Sequence, residues 1–172
     1  MGLNIKQRKK VEDILKLNNY TDYKWTDPKK IIVSQWVRMK CKFGCGEYGR
    51  GGACPPETPA VAECKEFFNE YEDAVILHFE GLMDKPEDRH TWSARINNKL
   101  VQLERAVFTA GFERAFQLFM DSCSFCKDCT GSRETCEKPR MARPAPEAMA
   151  VDVYTTVRQA GFTINVLTDY DQ

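Results

Sequence analysis

Phe112-Glu-Arg-Ala-Phe-Gln-Leu-Phe-Met120-Asp-Ser-Cys123-Ser-Phe-Cys126-Lys-Asp-Cys129-Thr-Gly-Ser-Arg-Glu-Thr-Cys136 is the stretch on which the reading of the fold turns. Its first nine residues are rich in aromatic and apolar side chains and predict a strand. The strand delivers the chain into three thiols at two-residue gaps, with a fourth six residues on. Bacterial ferredoxins use C-x2-C-x2-C to give three thiolates to one [4Fe–4S] cube. Zinc sites more often use two separated C-x2-C pairs, each gripping one edge of a tetrahedron. Cys123, Cys126, Cys129 and Cys136 are therefore expected to hold a [4Fe–4S] cluster, with Zn2+ on the same thiols as the alternative. The run departs from the ferredoxin pattern, where the fourth Cys follows after three residues and precedes Pro. Here Pro139 comes three positions after Cys136.

A second group of thiols lies some eighty residues upstream, as Cys41-x3-Cys45-x8-Cys54-Pro55-Pro56. Cys41-x3-Cys45 begins like a radical-SAM triad, but Tyr48 stands where the third Cys would be, which argues against a SAM enzyme. These thiols are expected to form a second metal site, with Cys64 as a further candidate ligand. In another arrangement, Cys54 completes the cluster of the C-terminal loop. Cys64 falls at an apolar helical position, where a free Cys behaves as a small hydrophobe. Gly44-Cys-Gly46-Glu-Tyr-Gly49 is formally G-x-G-x-x-G, but Pro55-Pro56 follows where a dinucleotide site needs a helix start.

Further predicted elements alternate along the chain: helix 6–18, strand Ile31–Met39, helix Thr58–Tyr71, strand Asp73–Phe79, and helix Thr91–Ala110 with Gly111 as its stop. After the strand Phe112–Met120 come a helix Pro146–Ala160 and a fourth strand Phe162–Thr168. Such alternation predicts an α/β fold: a single-layer mixed or mostly parallel sheet of about four strands flanked by helices. Both cysteine groups then follow strand C-termini, so the metal loops should share one sheet edge.

The chain has 172 residues, enough for one domain with a core that needs no disulfide staples. Its 25 basic and 25 acidic side chains balance, which disfavours an electrostatic nucleic-acid or membrane-surface binder. No apolar run spans a bilayer and no signal core follows the basic N-terminus, so a cytoplasmic location is expected. There, eight cysteines stay reduced and serve better as ligands than as disulfides. His78 and His90 are the only histidines; His78 reads as a core or edge residue and His90 as a surface one. Arg133, Lys138, Arg140 and Arg143 surround the C-terminal loop, where cations and a helix dipole at Pro146 would raise the potential of an anionic cluster. A solvated basic face explains them equally. Glu147 and Asp152 are candidate carboxylates that a helix start and an exposed face also explain.

With both motifs in place, the chain resembles an uncharacterised prokaryotic family of predicted metal-binding proteins, a domain of unknown function common in anaerobes. The resemblance rests on Cys41-x3-Cys45-x2-Tyr48-Gly49, Cys54-Pro55-Pro56, and Cys123-x2-Cys126-x2-Cys129 through Cys136. Arg143-Pro144-x2-Glu147-Ala148 and Val151-Asp152-Val153 extend it over nearly the whole chain. It implies metal or iron–sulfur binding with no established reaction. Members often carry Gly near Ala150, where this chain has Ala-Met-Ala. The functional expectation is a cytoplasmic [4Fe–4S] electron carrier or redox accessory subunit serving a redox partner protein. The alternatives are an enzyme with an open-coordination cluster and a zinc-binding interaction module.

Overall fold

The fold comes from a computed structural model and is described for residues 2–81, 85 and 88–164. Five α-helices and a two-stranded sheet occur among these residues: α1 (Ile5–Leu17), β1 (Tyr23–Thr26), α2 (Gln35–Gly44), α3 (Val61–Asn69), β2 (Ala74–Leu77), α4 (Asp88–Thr109) and α5 (Val153–Gln159). Two short 3-10 turns, Pro28–Lys30 and Glu147–Met149, complete the order. Helix α1 starts at a capping box in which Asn4 and Gln7 each bond the other's backbone N–H at 2.9 Å. Val11 and Leu15, one turn apart, are its buried face.

The mixture of helix and sheet is as expected, but the sheet is not. β1 and β2 pair antiparallel, Tyr23 opposite Leu77 and Thr26 opposite Ala74; β2 lies within the predicted strand Asp73–Phe79, while β1 was not foreseen. The predicted strand Ile31–Met39 is mostly helix α2. Three of its four β-branched residues, Ile31, Ile32 and Val33, stand before the helix, and Val33 makes a single bridge to Val151. From Gln35 the residues tolerate helix, and Val37 and Cys41 share one face.

The segment Phe112–Met120 opens on a turn, with Ala115 N–H donating to the Phe112 carbonyl (3.0 Å), and residues 115–119 pair with no strand, because other acceptors take backbone donors there. Gln117 N–H donates to Glu104 Oε2 (2.8 Å), Phe119 N–H to the Pro144 carbonyl (3.0 Å) and Met120 N–H to Asn97 Oδ1 (3.0 Å). The predicted helix Pro146–Ala160 is split. Ala150 adopts the left-handed conformation (φ 59°), Val151 bridges to Val33, and Asp152 caps α5 by accepting from Thr155 N–H (3.0 Å). In the left-handed region a non-glycine residue costs about 1–2 kcal/mol, which a glycine there would relieve while losing one buried methyl worth about 0.8 kcal/mol. The buried methyl offsets part of the backbone cost, so alanine is tolerated here. Phe162–Ile164 form no strand, and the rest of the predicted fourth strand lies outside the described residues.

Two apolar clusters make the interior. Val11, Leu15, Tyr20, Leu100, Leu103 and Phe119 form one; Cys64, Phe68, Met149 and Val151 form the other. No helix among the described residues is long and apolar enough to cross a membrane.

Asn97, fully buried in the apolar face of α4, links this interior to the cysteine loop. It accepts from Met120 N–H and donates through Nδ2 to the Ser122 carbonyl (3.3 Å), fixing the backbone just before Cys123. Asn97→Ala leaves both backbone groups without their side-chain partner and is expected to destabilise the metal-free protein by about 1–3 kcal/mol, read as a lower denaturant midpoint. An unchanged midpoint would show that the segment is held by something else.

Candidate metal centre

The two cysteine loops meet, although not through parallel strands. The C-terminal loop leaves the Phe112–Met120 segment and coils back on itself. Arg133 donates through Nη2 to the Pro139 carbonyl (2.8 Å), and Lys138 Nζ donates to the Phe125 carbonyl (2.6 Å). Cys123, Cys126, Cys129 and Cys136 line one small cavity with Phe125, Lys138 and Ala142, and Gly52 and Ala53 of the N-terminal loop close its remaining side. The cavity offers about 20 Å³ to the centre of a water-sized sphere, room for about one water.

Two contacts hold the loops together. Gly52 packs so closely on the Ser132 backbone that a Cβ would lie 2.6 Å from the Ser132 carbonyl oxygen. A larger residue there must push the loops apart. Beside it, Glu57 Oε2 accepts from Arg133 N–H (2.7 Å) and from Ser132 Oγ (3.2 Å). Sequence inspection missed Glu57; only its position just after Pro55-Pro56 marks it out.

In the N-terminal loop, Cys41 lies near the end of α2 and Cys45 caps that helix, its N–H donating to the Cys41 carbonyl (3.3 Å). Turns then bring the chain back: Gly49, at φ 72°, donates its N–H to the Pro55 carbonyl (2.8 Å). After α2 no helix begins until Val61, so a pyrophosphate-binding reading of the glycines has no support. Arg38 anchors α2, donating to Thr58 Oγ1 (2.9 Å) and to the Pro59 and Ala148 carbonyls (both 3.0 Å).

Burial raises three of these thiols above their ordinary range. Cys54 is pushed up to about 11, by burial first and then by the charges of Cys45, Glu47, Cys41 and Cys123. Cys41 is raised by burial and by Cys45, against the opposing pull of Arg38. Cys123 is raised by burial, with the charges of Cys136, Cys129 and Cys126 adding to it. Cys54 thus lies within electrostatic range of both groups. Metal-free, these thiols hold their protons, and a metal must displace them.

Cys64 stands apart. It is fully buried on α3 against Phe68, Met149 and Val151, its Sγ donating to the Pro59 carbonyl (3.4 Å). Of the four basic residues, Lys138 lines the thiol cavity. Arg143 instead forms a two-pronged ion pair with Glu104 of α4, and only a three-residue 3-10 turn follows Pro146. The dipole expected from a long helix at Pro146 is therefore missing. His78 sits at the sheet edge with Nδ1 2.5 Å from Asp22 Oδ2, and His90 is exposed on α4. Asp152 is a helix cap. Glu147 is exposed and borders an open cavity; local desolvation still raises its carboxyl, and its carbonyl accepts weakly from Cys41 Sγ (3.8 Å).

Among the described residues no three Cys, His, Asp or Glu side chains converge tightly enough to clasp a single ion. A zinc tetrahedron with 2.3 Å bonds would bring its sulfurs to about 3.8 Å of one another. The four loop thiols border a common space without closing on one point. As a donor set they suit a soft metal or a cluster.

Paired thiol loops clamped edge to edge define a thiolate-type metal-binding protein. The family model described as Predicted metal-binding protein (DUF2284) matches residues 24–172, and the chain belongs to that family. No curated protein and no solved structure matches the chain.

The raised Cys54 thiol favours the folded metal-free protein below its unfolded value near 9, and that contribution disappears as pH climbs towards about 11. Metal-free protein should therefore lose stability over this interval, and Cys54→Ser should flatten the loss; identical pH profiles would contradict the assignment. Glu57→Ala should weaken metal retention against a chelator by about tenfold or more with an unchanged helical circular dichroism spectrum. Wild-type retention would show that the clasp does not shape the centre.

Proposed function

We propose that this chain is an iron–sulfur protein that passes single electrons, carrying one [4Fe–4S] cluster on Cys123, Cys126, Cys129 and Cys136. The observation that carries the reading is that these four thiols, in a ferredoxin-like spacing, line one cavity with no other ligating side chain. A bound cluster would supply reversible one-electron chemistry. The chain's part is to hold and tune it. Lys138 places a cation on the cavity wall, Phe125 and Ala142 give it apolar surface, and Asn97 and Glu57 fix the backbone just before Cys123 and at Ser132–Arg133. The cavity has room for about one water, so the loop would have to spread to hold a cluster, and Gly131 in its left-handed turn (φ 80°) would give the backbone that freedom.

Cys41, Cys45 and Cys54 form a second metal site in this reading, and Cys64 stays in the core. The enzyme alternative draws support from that count, since three thiols leave a fourth position on a metal open to a substrate. The carrier works in the cytoplasm and hands electrons to a partner protein, and Cys45 and Cys129 are the exposed thiols of the two loops.

Anaerobically purified protein should be brown and contain about four or eight irons per chain with matching sulfide. Cys126→Ser should remove the cluster of the C-terminal loop, and Cys54→Ala should remove a spectrally distinct species while sparing it. Colourless protein rich in zinc would overturn the reading, and loss of the C-terminal cluster in Cys54→Ala would mean the loops share one site.

A further inference from the structure

Between the two apolar clusters the interior is open. A cavity of about 410 Å³ runs between α3, β2 and α4 on one side and the 115–120 segment, the Glu147–Met149 turn and α5 on the other. Protein interiors are close-packed and seldom hold voids much larger than a water, whereas small-molecule pockets span about 300–1,000 Å³. The size belongs to the second class. By scaling from benzene in a 150 Å³ apolar cavity, the space suits a molecule of about sixteen non-hydrogen atoms.

The wall chemistry narrows the occupant. Phe67, Phe68, Phe116 and Phe119 present aromatic surface, with Val75 and Leu103 between them. Most polar side chains on the wall are already engaged. Asp73 accepts from Leu3 N–H and pairs with Arg8; Glu104 is taken by Arg143 and Gln117 N–H; Thr156 Oγ1 accepts from Ile32 N–H (3.0 Å). Glu147, an exposed residue, borders the cavity, and its carboxyl has no hydrogen-bond partner on any other described residue. Its carbonyl, 3.8 Å from Cys41 Sγ, sets this end of the cavity against the N-terminal thiol loop.

We propose that this cavity binds an aromatic small molecule whose amine or hydroxyl end donates to the Glu147 carboxyl, beside the N-terminal thiol loop. The aromatic body fills the space between the two clusters and the polar end meets Glu147, the one carboxylate on the described wall that no other described residue engages. The site stands on the cavity and Glu147 and does not depend on which metal the thiols hold.

Calorimetric titration of the protein as isolated, with its metal, tests this using naphthylmethylamine and naphthoate as probes. The amine should saturate at one molecule per chain and bind about tenfold or more tightly than the carboxylate. Glu147→Gln should reduce that preference to about threefold or less while the amine still saturates. Ala115→Trp, which fills the cavity, should abolish binding of both probes with metal content and circular dichroism unchanged; Val75→Phe serves where Ala115→Trp does not fold. Heats of dilution alone from both probes would overturn the proposal, as would saturable binding undiminished by either filling variant. A preference that survives Glu147→Gln would overturn the role of that residue. Saturable amine binding by protein that proves to hold zinc would leave the cavity assigned and remove the iron–sulfur reading alone.

Discussion

Gly52 against the Ser132 backbone, with Glu57 reaching across to Ser132 Oγ and Arg133 N–H, is the contact on which the rest of the arrangement depends. It joins two segments eighty residues apart and turns two cysteine motifs into neighbours. A side chain at position 52 would have to displace backbone, which cannot swing aside as a flexible side chain can. The carboxylate then fixes the register, since one oxygen receives both a backbone and a hydroxyl donor. Without this closure the four C-terminal thiols would lose the Gly52–Ala53 side of their cavity. Cys54 would likewise lose the charge of Cys123, one of the groups that lift its thiol.

The scaffold behind the clasp is built from side-chain to backbone bonds more than from sheet. Asn97, Glu104 and Arg38 each reach from a helix to the backbone of an irregular segment. Such bonds satisfy buried N–H and C=O groups that a strand ladder would otherwise satisfy. They also place loops without covering them, which leaves Cys45 and Cys129 exposed while Cys54 is buried. The same economy of sheet leaves the two apolar clusters incompletely joined, with the open cavity between them.

How much of this was legible depended on whether the signal was local. Helices α1, α3 and α4 could be read because their apolar positions recur at helical spacing and caps or glycine mark their ends. The thiol spacing of the C-terminal loop could be read because ligand geometry is local too. The Phe112–Met120 segment carries a genuine strand composition, but it opens on a turn and its remainder joins no sheet. Its lack of a sheet partner was decided by Asn97, Glu104 and Pro144, which no window around the segment contains. Ile31–Met39 failed because the β-branched run at its start, Ile31 to Val33, outweighed the helix-tolerant remainder. Pro146–Ala160 failed at Ala150, whose left-handed turn carries no glycine to announce it. The convergence of the two loops was expected for the wrong reason: parallel strand ends were invoked, and a glycine contact and a carboxylate achieve it.

The central claim is that the four thiols of the Cys123–Cys136 loop hold a multinuclear iron–sulfur cluster rather than a single ion. X-ray absorption at the iron and zinc edges of anaerobically isolated protein tests it most directly. The account predicts iron in an all-sulfur shell with short iron–iron scattering behind it, lost in a variant lacking Cys123 and Cys126. A zinc edge with four sulfurs at about 2.3 Å and no metal–metal shell would contradict it.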